Sequence, residues 1–281
     1  MNRIISLITL IMLAVSNLPA QSTWINSSEE TVLINGIQVN SIYTRLKGSP
    51  DQVKKAWVDF VKLHSGEKPK ETDGVFTLKE TVIHQITDKR GDLLAMIHPV
   101  DQETNLYVAY QLGYDVYVNS AQFPEEFSNL KKFAELFIMT YYDSFLPGFI
   151  KEKAQKLKVL KKEHDKAGKE LAKKEKANRK LTKKNGSLSR KISKLNEQES
   201  TADSSAVAAI SGKKAELQAK LNANEKMISD NAAVIESKKS LIESQKPQIA
   251  ELEEDIKTAA LTLNEVESRL KSLDQVMIKP E

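Results

Sequence analysis

The sequence predicts an α+β fold in two parts, a small N-terminal antiparallel sheet-and-helix sandwich followed by a long antiparallel α-helical coiled-coil hairpin. Three observations carry this. Segments rich in β-branched and aromatic residues alternate with turn-like residues as far as about residue 119. Beyond residue 149 two apolar series recur at heptad spacing. Charge segregates with the same boundary: residues 1–150 hold 13 basic and 17 acidic groups, 151–194 hold 18 and 5, and 195–281 hold 11 and 16. With 40% hydrophobic residues in 281 the chain is not of the disordered class, and with no cysteine it has neither a disulfide scaffold nor a zinc–thiolate site.

Residues 1–20 read as a secretory signal peptide, with Arg3 as the positive start, an apolar run from Ile4 to Val15 and cleavage expected after Ala20. The run is shorter than the ~20 residues that span a bilayer. The expected location is therefore exported, in the periplasm or outside the cell.

The α+β domain is expected over 21–148. Asn35-Gly36 between apolar residues signals a tight hairpin, because both positions tolerate positive φ. A further extended stretch is expected over 41–46. Ser49, Pro50 and Gln52 form an N-cap, a first-turn proline and a capping-box partner. The helix they open runs to about His64, with Val53, Ala56, Trp57, Phe60 and Val61 on one face. Segments 75–86, 92–100 and 105–119 read as strands, with DKRG and DQET as the turns between them. A helix starting near Pro124 buries Leu130, Phe133, Phe137, Ile138, Tyr141 and Phe145, and Leu146-Pro147-Gly148 is expected to kink or break it.

The coiled-coil hairpin is expected over 149–277, with its turn near 200–212. One core series runs from Leu157 to Leu195 and the other from Leu217 to Leu273. A short connection makes the helices antiparallel, so facing residue numbers have a constant sum. A sum of 409 sets Asn178 against Asn231 and Asn185 against Asn224, with the turn centred at Ser204-Ser205. Sums of 402 and 416 also keep the apolar positions facing, but neither pairs both asparagines. Buried amides facing one another fix alignment, since a slip leaves each against an apolar side chain; the same amides would also suit a loosely packed, solvated stretch. Lys174 is expected to face Ile235 and Lys238 to face Leu171, and Pro247 to kink the returning helix. The hairpin is expected to be roughly 75 Å long.

No catalytic, cofactor or metal site is expected. Nucleophile-elbow, zinc-protease, phosphate-loop and dinucleotide motifs are missing. His84 and His98 are the one histidine pair placed to meet, across a turn at 89–91, and ordinary strand histidines explain them as well. Arg90-Gly91-Asp92 spells an adhesion tripeptide that a turn would also favour. The feature left over is a basic face on the first arm helix, with Lys161, Lys162, Lys169, Lys173, Lys176, Arg179, Lys180, Lys183 and Lys184 as its candidates.

The expected function is a non-enzymatic exported protein whose hairpin is a spacer or protein-docking arm in the cell envelope. The alternative is a holdase-like or polyanion-binding protein working through the 151–194 face; an enzyme or ligand carrier in the α+β domain is a third class. In export, lysine content and hairpin arms the chain is similar to periplasmic holdase chaperones with basic tentacles, with which it shares no motif. Expected partners are a protein docked on the hairpin, an anionic surface or polymer, or a second copy of the chain. Specific nucleic-acid binding is not expected, because 151–281 has no aromatic residue for base stacking.

Overall fold

The computed structural model describes residues 23–277 except Gln102, without the side chains of Thr23 and of 274–277. Residues 1–20, which the sequence reads as a signal peptide, lie outside the described residues. Contacts divide the chain into two units, 1–152 with 255–281, and 153–254.

In the first unit, β1 (Ser28–Ile34) and β2 (Ile37–Lys47) form the hairpin, with Asn35 and Gly36 both at positive φ. Residues 41–46 are part of β2 and not a separate strand, because β2 continues past β1 to pair with β6. Helix α1 (Pro50–Ser65) has the expected capping box: the Gln52 amide donates to Ser49 Oγ at 3.4 Å and the Ser49 amide to Gln52 Oε1 at 2.9 Å. β3 (Lys70–Thr72), β4 (Val75–Ile83), β5 (Thr87–Val100), β6 (Glu103–Gly113) and β7 (Val116–Tyr117) complete a seven-stranded antiparallel sheet in the order β1-β2-β6-β5-β4-β3, with β7 beside β6. The segment 105–119 is thus divided at Gly113, and the three-residue β3 was not expected.

The β4–β5 turn lies at 84–86, not at the DKRG sequence, which is part of β5. Gly91 sits mid-strand opposite Thr81. A Cβ there would come within 2.4 Å of the Gln111 carbonyl and 2.6 Å of the Tyr110 ring, so glycine allows a close approach rather than a turn. Glu80 bulges at φ +50°, and its amide donates to Asp92 Oδ1 at 2.8 Å. Arg90-Gly91-Asp92 is therefore extended strand with Asp92 holding a bulge.

One sheet face carries the main core. Trp57 and Phe60 of α1 interlock with Phe133 and Phe137, and the Trp57 and Phe137 rings meet edge to face at 5.0 Å. Helix α2 (Pro124–Glu199) supplies Phe133 through Leu146, and helix α3 (Ser204–Met277) supplies fully buried Ala259 and Val266. Tyr141 donates to the Lys47 carbonyl at 2.6 Å and the Lys47 amide to Tyr142 Oη at 3.2 Å, clamping the end of β2. Gly48, at φ +116°, is needed there, since a Cβ would lie 2.2 Å from Tyr141 Oη. The domain boundaries shift accordingly: the first unit extends to 152 and also takes 255–281, which the sequence grouped with the hairpin. Ala259 and Val266 continue the heptad pattern, and the sum of 409, which sets Ile150 against Ala259 and Leu146 against Leu263, already carries the returning helix back to the globular domain, where both are in the main core.

Neither proline interrupts its helix. Pro147 and Pro247 are exposed, as are Asp143 and Glu243, whose carbonyls lose their helical donor. Water can satisfy those carbonyls, so the break expected at 146–148 does not occur.

The turn of the second unit is shorter and earlier than expected, at 200–203, and Ser204-Ser205 already belong to α3. Asp203 caps that helix, with its carboxylate accepting from the Ser205 hydroxyl at 2.8 Å and the Ala206 amide at 3.0 Å. These bonds, the Ser205 hydroxyl first, hold the carboxyl below its usual range. With that cap in place the helix-favouring AVAAI segment is helical, not part of the loop.

Candidate functional site

Two helices in water cannot enclose a core, and in the second unit Leu157, Ala167 and Gln245 are its buried side chains among the described residues. Alignment there comes from polar layers. Asn231 Nδ2 donates to Asn178 Oδ1 at 2.9 Å, and Asn224 Nδ2 to Asn185 Oδ1 at 2.9 Å. In both pairs the residue numbers add to 409. Asn178 Nδ2 also donates to the Ile228 carbonyl at 3.3 Å, which leaves that amide well satisfied across the helix pair.

The two core lysines take polar partners. Lys174 reaches Asn231 Oδ1 at 2.9 Å and Lys238 reaches Glu170 at 2.7 Å, in place of the apolar partners Ile235 and Leu171. The Lys174 ammonium therefore stays at the amide layer of the seam, whereas the four-carbon stem of Lys238 lets its ammonium leave the seam for Glu170 while its methylenes remain against it. The Lys238 hydrogen bond is the first cause holding the Glu170 carboxyl below its usual range.

A third polar layer lies at 164 and 245. His164 Nε2 and Gln245 Oε1 are buried without a hydrogen-bond partner among the described residues. Their numbers also add to 409, so the alignment that pairs the asparagines was the signal for this layer. The unit thus has apolar layers at Leu157 and Leu188 with polar ones between them.

All nine candidates of the basic face are exposed. Lys161 pairs with Glu253 at 2.6 Å, and the other eight have no ion-pair partner among the described residues. A shallow open groove of about 470 Å³ lies between Gln155, Lys156, Val159, Leu160, Glu163, Gln248 and Leu252.

In the first unit His84 and His98 do not meet. His84 contacts Asp88 at 2.8 Å in the β4–β5 turn, whereas His98 lies near the far end of β5, stacked on Tyr107 at 5.6 Å. The sequence placed the turn at Gly91, and moving it to 84–86 separates them. Among the described residues no cluster of three or more histidine, aspartate and glutamate side chains is arranged to hold a metal, and no helix is long and apolar enough to cross a membrane.

No protein-family model matches the chain, and no match was found among curated proteins or among solved structures. The arrangement has to be understood from its own chemistry. What 153–254 offers is an aligned pair of helices with a row of exposed cations on its outer side.

Proposed function

We propose that this is a non-enzymatic exported protein of the cell envelope, whose α+β domain carries the helix pair as a spacer and docking arm. The observation that supports this best is the amide alignment. Asn178–Asn231 and Asn185–Asn224 cost apolar burial, and what they contribute is a fixed stagger of one helix on the other. Fixed stagger matters to a protein that presents its outer faces to something else; a helix pair that only filled space could use isoleucine. Across 153–199 α2 rises by roughly 70 Å.

A holdase-like or polyanion-binding protein is the second reading, supported by the eight exposed basic side chains without an ion-pair partner.

The test uses the full-length gene product. Cell fractionation with N-terminal sequencing should recover a periplasmic or secreted chain beginning at Gln21; an intact N-terminus in the cytoplasm would overturn export. The purified chain is then titrated with an unfolded outer-membrane protein, anionic vesicles and a heparin-like polymer, beside a light-scattering mass measurement. Binding that weakens with added salt supports the basic face, and binding insensitive to salt points to the helix seam or the groove.

A further inference from the structure

The basic residues of α2 follow a second heptad repeat, parallel to the core and on the other side of the helix. Lys162, Lys169, Lys176, Lys183 and Arg190 stand seven apart. Lys166, Lys173, Lys180 and Lys194 form an intermediate row, broken only at Ser187. Steps of four and three therefore meet a cation at nine of ten positions, all ten exposed. The two rows fall within about 50° of arc, facing away from the Leu157–Leu195 seam. Successive cations are about 5 Å apart along the axis, and the series is about 48 Å long. Of the four acids in the same stretch, Glu163, Glu170 and Glu175 flank the seam, with Glu170 engaged by Lys238, and Asp165 is on the outward side beside the row.

Helix α3 differs at the equivalent outward positions. Between Ala223 and Glu254 these hold one cation, Lys226, among alanine, serine, proline and acidic residues. The helix pair is thus strongly basic on one long side only.

We propose that the outward row of α2 from Lys162 to Lys194 lies flat on an anionic lipid surface, which rests on the docking-arm reading and names the partner of that arm. Three features select a lipid surface over a soluble polymer. The row is on the convex back of a helix, without groove walls to hold a flexible chain, whereas a plane of mobile headgroups meets all nine cations together. Eight of the nine are lysine, a compact, strongly hydrated point charge suited to attraction by a field, without the bidentate fork that arginine uses to grip individual phosphates. The row itself carries no aromatic or large aliphatic side chain. The apolar side of α2 is committed to α3, so the arm lies on headgroups without inserting.

Binding of the full chain is measured by co-sedimentation with vesicles of phosphatidylcholine mixed with phosphatidylglycerol, with pure phosphatidylcholine vesicles and soluble heparin as the other arms. The expected result is binding to the mixed vesicles alone, falling steeply with salt as screening shortens. Replacing Lys162, Lys169, Lys176 and Lys183 by glutamine should weaken it roughly a hundredfold or more. Replacing the exposed Lys55, Lys62, Lys68 and Lys79, which changes net charge equally, should leave the vesicle affinity within a fewfold. Equal losses in both variants, or heparin binding without vesicle binding, would overturn the proposal.

A second measurement does not depend on the lysine variants. The chain has no cysteine, so Ser187→Cys and Ser237→Cys each give a single labelling site, on the outward sides of α2 and α3. Lipid-borne quenchers should quench a fluorophore at 187 and spare one at 237; equal quenching would overturn the orientation. If vesicles fail to bind while Asn178 and Asn231 remain energetically coupled, the lipid proposal is wrong and the aligned arm stands. If that coupling is absent, the arm reading itself fails.

Discussion

The two units solve the same problem, holding elements in one alignment, by opposite means. In the first, shape does it. Trp57, Phe133, Tyr110 and Tyr142 are fully or almost fully buried and interlocked, and a one-residue slip in any strand would turn its apolar side chains away from the core. In the second, three of the described side chains are buried, so sliding one helix past the other by a heptad forfeits little apolar burial. Directional bonds have to specify what packing cannot. The asparagine layers supply them at some cost in stability, and the comparison shows why polar residues sit at the centre of the thinner structure and are scarce in the thicker one.

The largest effect expected concerns the share of the first unit contributed from the far end of the chain. Stopping the chain after Glu254 removes Ala259 and Val266 from the main core. Circular-dichroism melting should then lose its cooperative transition from the sheet domain. A truncated chain that melts as the full one does would show that the domain closes without α3.

Next in size is the aromatic interlock. Trp57→Ala should destabilise the domain by about 3–5 kcal/mol, because the surrounding rings cannot collapse into the space it leaves. Urea unfolding should show a lower midpoint with an unchanged slope.

The same dense core has a pH limit that the arm lacks. Burial pushes the Tyr110 hydroxyl up to about 12 and raises those of Tyr141 and Tyr142 as well. The unfolded chain ionises its tyrosines near pH 10, so the folded state holds the extra protons. Stability from these groups is full below pH 10 and declines as pH rises toward 12. Phenolate absorbance should appear together with unfolding in that window; titration of these tyrosines at pH 10 in a still-folded chain would contradict it.

The smallest effect tests the arm's alignment. Asn178→Ile should cost about 1–3 kcal/mol by leaving Asn231 against an apolar side chain, and adding Asn231→Ile should restore most of it. The cycle of Asn178 with Asn224, which the structure does not bring together, should be additive. Equal coupling in both cycles would mean that shape, not amide pairing, aligns the arm after all.

Local chemistry was legible wherever a few neighbouring residues set the outcome. Ser49 and Gln52 announce their capping box, Asn35-Gly36 their turn, and 178 and 231 their common layer, because each depends on short-range geometry or on a strict repeat. The outward lysine row was visible as composition before it was visible as a line; its meaning rests on which side of α2 the core takes. Other features depend on contacts that spacing does not encode. Gly91 reads as a turn until Tyr110 is seen against it, and Pro147 reads as a break until its exposed position leaves the Asp143 carbonyl open to solvent. Lys238 leaves the seam position the repeat assigns it for Glu170, and Lys174 meets the Asn231 amide there instead of an apolar side chain. The sequence by itself determined the Asn35-Gly36 hairpin, the capped helix, the heptad periods and the alignment of the two long helices, since these follow from side-chain spacing along the chain. Which face of each helix met the sheet, and where the turn and the domain boundary fell, was decided only when distant side chains competed for the same buried volume.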